Sequence, residues 1–100
     1  DTNWHIGATS AGGSKFNGCM AEFYFAPGQY LDFSDSANRR KFISAPGKPV
    51  DIGTDGSTPT GVAPVVYLKD VAASYGTNSG TGGNFTVTGA LTTASTSPSD

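Results

Sequence analysis

A chain of 100 residues has room for one small domain or for part of a larger one. Hydrophobic residues are 36% and charged residues 14%, with 14 glycines and a formal net charge of −2, which argues against a solvated disordered tail, a helical bundle and a polyanion-binding surface. What remains is mainly β structure with Ser, Thr and Gly on its exposed faces; the sequence carries no apolar run of membrane-spanning length and no signal-peptide pattern.

In chain order, the first element expected is a short strand in "WHIGA" (4–8), where Trp4, Ile6 and Ala8 alternate with His5 and Gly7. A flexible turn, "SAGGSK", leads to "GCMAEFYF" (18–25), which puts Cys19, Ala21, Phe23 and Phe25 on one face and Met20, Glu22 and Tyr24 on the other. The two runs read as a hairpin with Phe23 and Phe25 on the core side, and Cys19, the only cysteine, reads as a buried free thiol. Pro27-Gly28 then ends the strand. A short helix is expected from a cap at Asp32 or Ser34 to about Ile43, docked by Phe33, Ala37 and Phe42. Arg39, Arg40 and Lys41 form its solvated end, with Arg39 or Arg40 as the expected partner of Glu22.

Residues 44–63 turn at Pro46-Gly47, Asp55-Gly56, Pro59 and Gly61, and read as an ordered arm anchored by Val50 and Ile52. "PVVYL" (64–68) reads as a strand buried on both faces, "ASYGTNSGTGGN" as a glycine-rich loop, "FTVTGALT" as a final strand and "TASTSPSD" as a polar tail. The organisation expected is a closing hairpin over 1–26, a helix plus arm over 27–63, and strands and tail over 64–100, in one domain that upstream sequence completes. A start at Asp1 rather than Met fits a processed chain or a piece of a longer one.

The residues give little for catalysis. Glycoside hydrolysis needs two carboxylates across the scissile bond, and Glu22, the only glutamate, is flanked on its strand face by Met20 and Tyr24. His5 is the only histidine and has no nucleophile motif beside it, and the loop at 76–83 lacks the Lys-Ser/Thr ending of a phosphate-binding loop. The chain is therefore not expected to be an enzyme or to carry a cofactor. Asp51, Asp55 and Gly56 fall at the first, fifth and sixth positions of a calcium loop, but Gly53 and Val62 stand where oxygen ligands belong, so a turn accounts better for this stretch. Glycan contact has more candidates: Trp4, Tyr30 and Tyr75 as aromatic platforms, with Asn78 and Asn84 as hydrogen-bonding groups on a loop.

"WHIGA…FNGCMAEFYF", with Gly18 and Glu22 at their spacing, resembles the closing strands of concanavalin A-like, laminin-G-like jelly rolls. "LDFSDSANRRKFISAPGKPVDIGTDGSTPTGVAPVVYL" and "TNSGTGGNFTVTGALTTASTSPSD" resemble the C-terminal extension of lectin-like jelly-roll proteins of tailed bacteriophages. The resemblance implies the C-terminal portion of an antiparallel jelly-roll sandwich, and a virion structural protein of capsid or tail. Its expected partners are other virion subunits, including further copies of itself, with no nucleic acid and no membrane. The alternative it carries is a carbohydrate-binding module of a receptor-binding or decoration protein, extracellular and directed at host-surface glycans. In that family the calcium and sugar loops lie largely in the N-terminal part of the sandwich, which has no counterpart in this sequence.

Overall fold

The computed structural model describes residues 4–100. The chain is small and mainly non-helical, with one two-stranded antiparallel sheet. Strand β1 is Phe23–Phe25, helix α1 is Ser36–Arg39, strand β2 is Val66–Leu68, and a single 3-10 turn covers Ala72–Ser74. Phe23 stands opposite Leu68, Tyr24 opposite Tyr67 and Phe25 opposite Val66.

The sheet corrects the expected hairpin. β1 pairs with β2, far along the chain, and residues 4–8 form no strand, with bends at 6–8. Alternation from 18 to 25 is interrupted at Glu22, whose φ of 53° lies in the left-handed region that non-glycine residues seldom enter. The chain therefore turns immediately before Phe23, and the residues ahead of it leave the sheet plane. Cys19 is exposed as a result, not buried. Nor does β1 have one clear core side, since Phe23, Tyr24 and Phe25 are all half-buried.

The core is centred on β2. Val66, Tyr67 and Leu68 are buried along with Ile52, and Pro64 is enclosed completely. Of the strand expected over 64–68 only 66–68 forms, and Val65 sits in a bend with its side chain exposed. Four rings step edge-on to this core from the turns that flank α1: Phe33 to Phe42 at 5.8 Å, Phe42 to Tyr24 at 5.4 Å, and Tyr24 to Tyr67 at 6.4 Å. Edge-to-face pairs of this kind contribute about 0.5–1.5 kcal/mol each beyond their burial. They hold a helix too short to persist alone.

That helix starts later and stops sooner than its sequence pattern predicts. Asp35 is the N-cap, accepting the Ala37 N–H at 2.9 Å, while Asp32 accepts the Ser34 N–H in a turn of its own. Beyond Arg40 the chain loosens into turns that end at the isolated bridge between Ile43 and Pro49. The expected pairing with Glu22 is not made by Arg39, whose guanidinium donates to the carbonyls of Phe33 and Ser34 instead.

The arm packs on its own strands. Pro46-Gly47 closes a tight loop in which the Ser44 N–H donates to the Lys48 carbonyl at 2.8 Å. Asp51 accepts the Gly53 N–H and Asp55 the Ser57 N–H, and the Thr58 N–H closes back on the Ile52 carbonyl. These turns carry Gly56 into the core at φ 79°, where an added Cβ would lie 3.0 Å from Pro64 Cδ and 3.1 Å from Tyr67 Cδ2. Only glycine fits both the conformation and the space.

The segment 85–92, expected as a final strand, has no strand structure and is exposed apart from a half-buried Phe85. Its alternation finds no neighbouring strand to pair with among the described residues, and an unpaired strand does not persist in water.

Candidate functional site

A cleft of about 510 Å³ opens between β1, the turn after it, and the end of the arm. Tyr24, Tyr30, Phe33 and Phe42 supply aromatic walls, and Gln29 and Thr60 supply polar groups. Tyr30 follows the Pro27-Gly28 turn, and its side chain is left 86% exposed. Gln29, on the same turn, is fixed from the far side of the cleft. The Thr60 hydroxyl donates to Gln29 Oε1 at 2.8 Å and accepts the Val62 N–H at 3.2 Å. An exposed ring beside an anchored amide is an arrangement that can stack a flat apolar face and hydrogen-bond its rim.

The five residues proposed from sequence for glycan contact do not gather in this cleft; Tyr30 alone lines it. Trp4 is 73% exposed but lies with its ring 5.2 Å from Phe25. Tyr75 is half-buried, and its hydroxyl is covered without a hydrogen-bond partner among the described residues. Asn84 lines a separate depression of about 210 Å³ with Phe85 and Val87, and its Oδ1 accepts the Asn78 N–H at 2.9 Å.

Asn78 is committed internally. Its Oδ1 accepts from the Tyr67 and Gly80 N–H groups, both at 2.9 Å, and its Nδ2 donates to the Val65 and Gly83 carbonyls at 2.9 and 3.2 Å. An asparagine amide has two donors and two acceptor positions, so all four are used. Gln29 and Thr60 were not among the sequence candidates. Thirty-one positions separate them, and no local pattern could have joined them.

Asp51 and Asp55 each cap a turn through one backbone N–H, and among the described residues no three His, Cys, Asp or Glu side chains gather as a metal ion would need. Ser57, through its hydroxyl and then its N–H, holds the Asp55 carboxyl below its ordinary range, and Ser34 does the same for Asp32. The Tyr67 hydroxyl is pushed up by burial and then by the carboxylates of Glu22 and Asp51, and that of Tyr75 by burial and then by Glu22. Glu22 thus adds to the raised values of both the buried Tyr67 and the half-buried Tyr75. No helix among the described residues is long and apolar enough to cross a membrane.

Comparison with known proteins adds no relative: no family model matches the chain, and neither the curated proteins nor the solved structures contain a match.

Proposed function

We propose that this chain is a structural component of a virion, in capsid or tail, and that it works by covering its apolar surface with other polypeptide, completing a lectin-like jelly roll. The observation that carries the assembly reading is surface area. The chain exposes 6965 Å², roughly 1,600 Å² more than the about 5,300 Å² expected of a folded monomer of this mass. Its radius of gyration, 14.5 Å, likewise exceeds the about 13 Å of a typical domain of this length. Much of that surface is apolar: Trp4, Phe16, Met20, Phe33, Val71 and Leu91 all stand exposed. An excess of this size is comparable to what obligate interfaces bury. The virion setting rests on the sequence resemblance.

Quantitative mass spectrometry of particles purified from the source of the sequence tests this reading. The chain should be present at fixed stoichiometry to the major structural proteins, and its absence would reject the virion role. Sedimentation of the isolated chain tests the surface argument separately: a monodisperse monomer that binds no apolar dye would remove it.

A second reading, a carbohydrate-binding module, is favoured by one feature, the cleft with Tyr30 beside the Gln29–Thr60 pair. Titration with host-surface oligosaccharides, with Tyr30→Ala as control, tests it. Saturable binding lost in the variant supports it, and binding that ignores the substitution counts against this cleft.

A further inference from the structure

The chain treats the two edges of its sheet differently. On the β2 side, the Tyr67 N–H goes to Asn78 Oδ1 and the Tyr67 carbonyl accepts the Ser79 N–H at 2.9 Å. The Val65 carbonyl accepts from Asn78 Nδ2 and the Gly82 N–H. In an antiparallel ladder the N–H and carbonyl of one residue point the same way, and successive residues alternate. Val65 and Tyr67 therefore face the glycine-rich loop, and Val66 and Leu68 face β1. Carried across the register, Phe25 and Phe23 direct their backbone groups to β2, while Tyr24, opposite Tyr67, directs its own away from it. Neither Tyr24 backbone group has a hydrogen-bond partner among the described residues.

One edge is thus closed by a loop, and the other is left unpaired by the described residues at a single position, bounded by the left-handed Glu22 and the Pro27-Gly28 turn. β1 itself carries three aromatic residues and no charge to discourage pairing. Resting on the assembly reading above, we propose that this edge pairs with the same edge of a second copy of the chain. The pairing is antiparallel and centred on Tyr24, so that β2, β1 and their two-fold mates form one four-stranded sheet.

The register is self-complementary. A two-fold axis at Tyr24 lets its N–H donate to the Tyr24 carbonyl of the second copy and its carbonyl accept in return. Phe23 then stands opposite Phe25, an aromatic cross-strand pair made twice by symmetry. Glu22, where the chain turns out of the sheet, comes nearest Ala26 of the second copy at the end of the pairing, so the one charge near the strand meets an uncharged residue. Sliding the pairing to centre on Glu22 would set that carboxylate against its own copy. The surface excess of roughly 1,600 Å² is more than the about 800 Å² that each partner of a standard interface contributes.

Ala26 provides the test. Lys and Glu are similar in bulk there, so a purely structural penalty falls on both variants alike, whereas the pairing places them against Glu22 of the second copy. Sedimentation equilibrium should show a wild-type dimer, tightened in Ala26→Lys and weakened in Ala26→Glu, with dissociation constants about tenfold or more apart. High salt should narrow the gap. Exchange of the Tyr24 amide hydrogen should slow as protein concentration rises. A monomer at all concentrations, equal dimerisation of the two variants, or Tyr24 exchange indifferent to concentration would each overturn the pairing. Particles that incorporate a chain with no such dimer would sink the pairing alone. A Tyr24-centred dimer in a protein absent from particles would sink only the virion reading.

Discussion

The side-chain carbonyl of Asn78 accepts the backbone N–H of Tyr67 at 2.9 Å, standing where a third strand would stand. With Ser79, Thr81 and Gly82 donating to the carbonyls of Tyr67, Pro64 and Val65, the loop closes the outer edge of β2 without being a strand. The approach is so close that a Cβ on Gly80 would lie 2.5 Å from the Pro64 carbonyl oxygen. Hydrogen bonds and absent side chains together let irregular backbone satisfy a buried strand.

Asn78→Ala should therefore destabilise the chain by about 2–3 kcal/mol, because it strands the N–H of a buried residue as well as deleting bonds. Asn84→Ala, which loses one exposed bond, should cost about 1 kcal/mol or less. Chemical denaturation of the two variants checks the order. Equal losses would mean that the loop does not hold β2.

Gly56 and Gly61 share a left-handed backbone, at φ 79° and 81°, but differ in surroundings. An added Cβ at Gly61 meets open space, while one at Gly56 meets Pro64 and Tyr67. Gly61→Ala should cost about 1–2 kcal/mol from conformation alone. Gly56→Ala adds overpacking and should reach about 2–4 kcal/mol. Matching values would show that the arm is not seated on β2.

These contrasts mark what was legible in the sequence. The apolar run at 64–68 announced the buried strand of which Val66–Leu68 forms, though not the exposed Val65, and Pro46-Gly47 and Asp55-Gly56 announced turns, because both signals are local. The partner of β1 was not legible: alternation shows that a segment can pair, not with what, and Glu22's left-handed turn has no sequence mark. The internal role of Asn78 was not legible for a related reason. Asn, Ser and Gly compose a solvent-facing turn and an edge-capping loop equally well, and only geometry shows which way the amide points. Of the candidate cleft, Tyr30 was visible as an aromatic after a turn; Gln29 and Thr60 meet only in the folded chain.

Tyr75 carries a buried hydroxyl with no hydrogen-bond partner among the described residues. Tyr75→Phe keeps the ring and removes that group, so it should be neutral or stabilising, by up to about 1–2 kcal/mol. Thermal unfolding measures it. A marked loss of stability would show that the hydroxyl has a partner in solution.

Acid should act through Asp32 and Asp55, whose carboxyls are held low by Ser34 and Ser57. A depressed folded value means that the folded chain binds these protons less readily than the unfolded chain. The stabilisation is complete above the unfolded value, about 4, and is lost as pH falls through the folded values. Asp55→Asn should flatten part of that acid limb while leaving neutral behaviour close to wild type. An unchanged limb would remove Asp55 from the account.

At the alkaline end the sign reverses. Burial first, and then Glu22, raises the hydroxyl values of Tyr67 and Tyr75, so the folded chain holds these protons more tightly than the unfolded one. The contribution is complete below the unfolded value, about 10, and is lost as pH rises through the folded values. Glu22→Gln removes the charge and leaves the burial. Tyrosinate absorbance followed against pH should then show these two groups titrating lower than in wild type, yet still above an exposed tyrosine. A titration that returned fully to the exposed value would make the carboxylate, not burial, the dominant cause. One that did not move would separate Glu22 from these two tyrosines and leave its left-handed backbone as its one structural role.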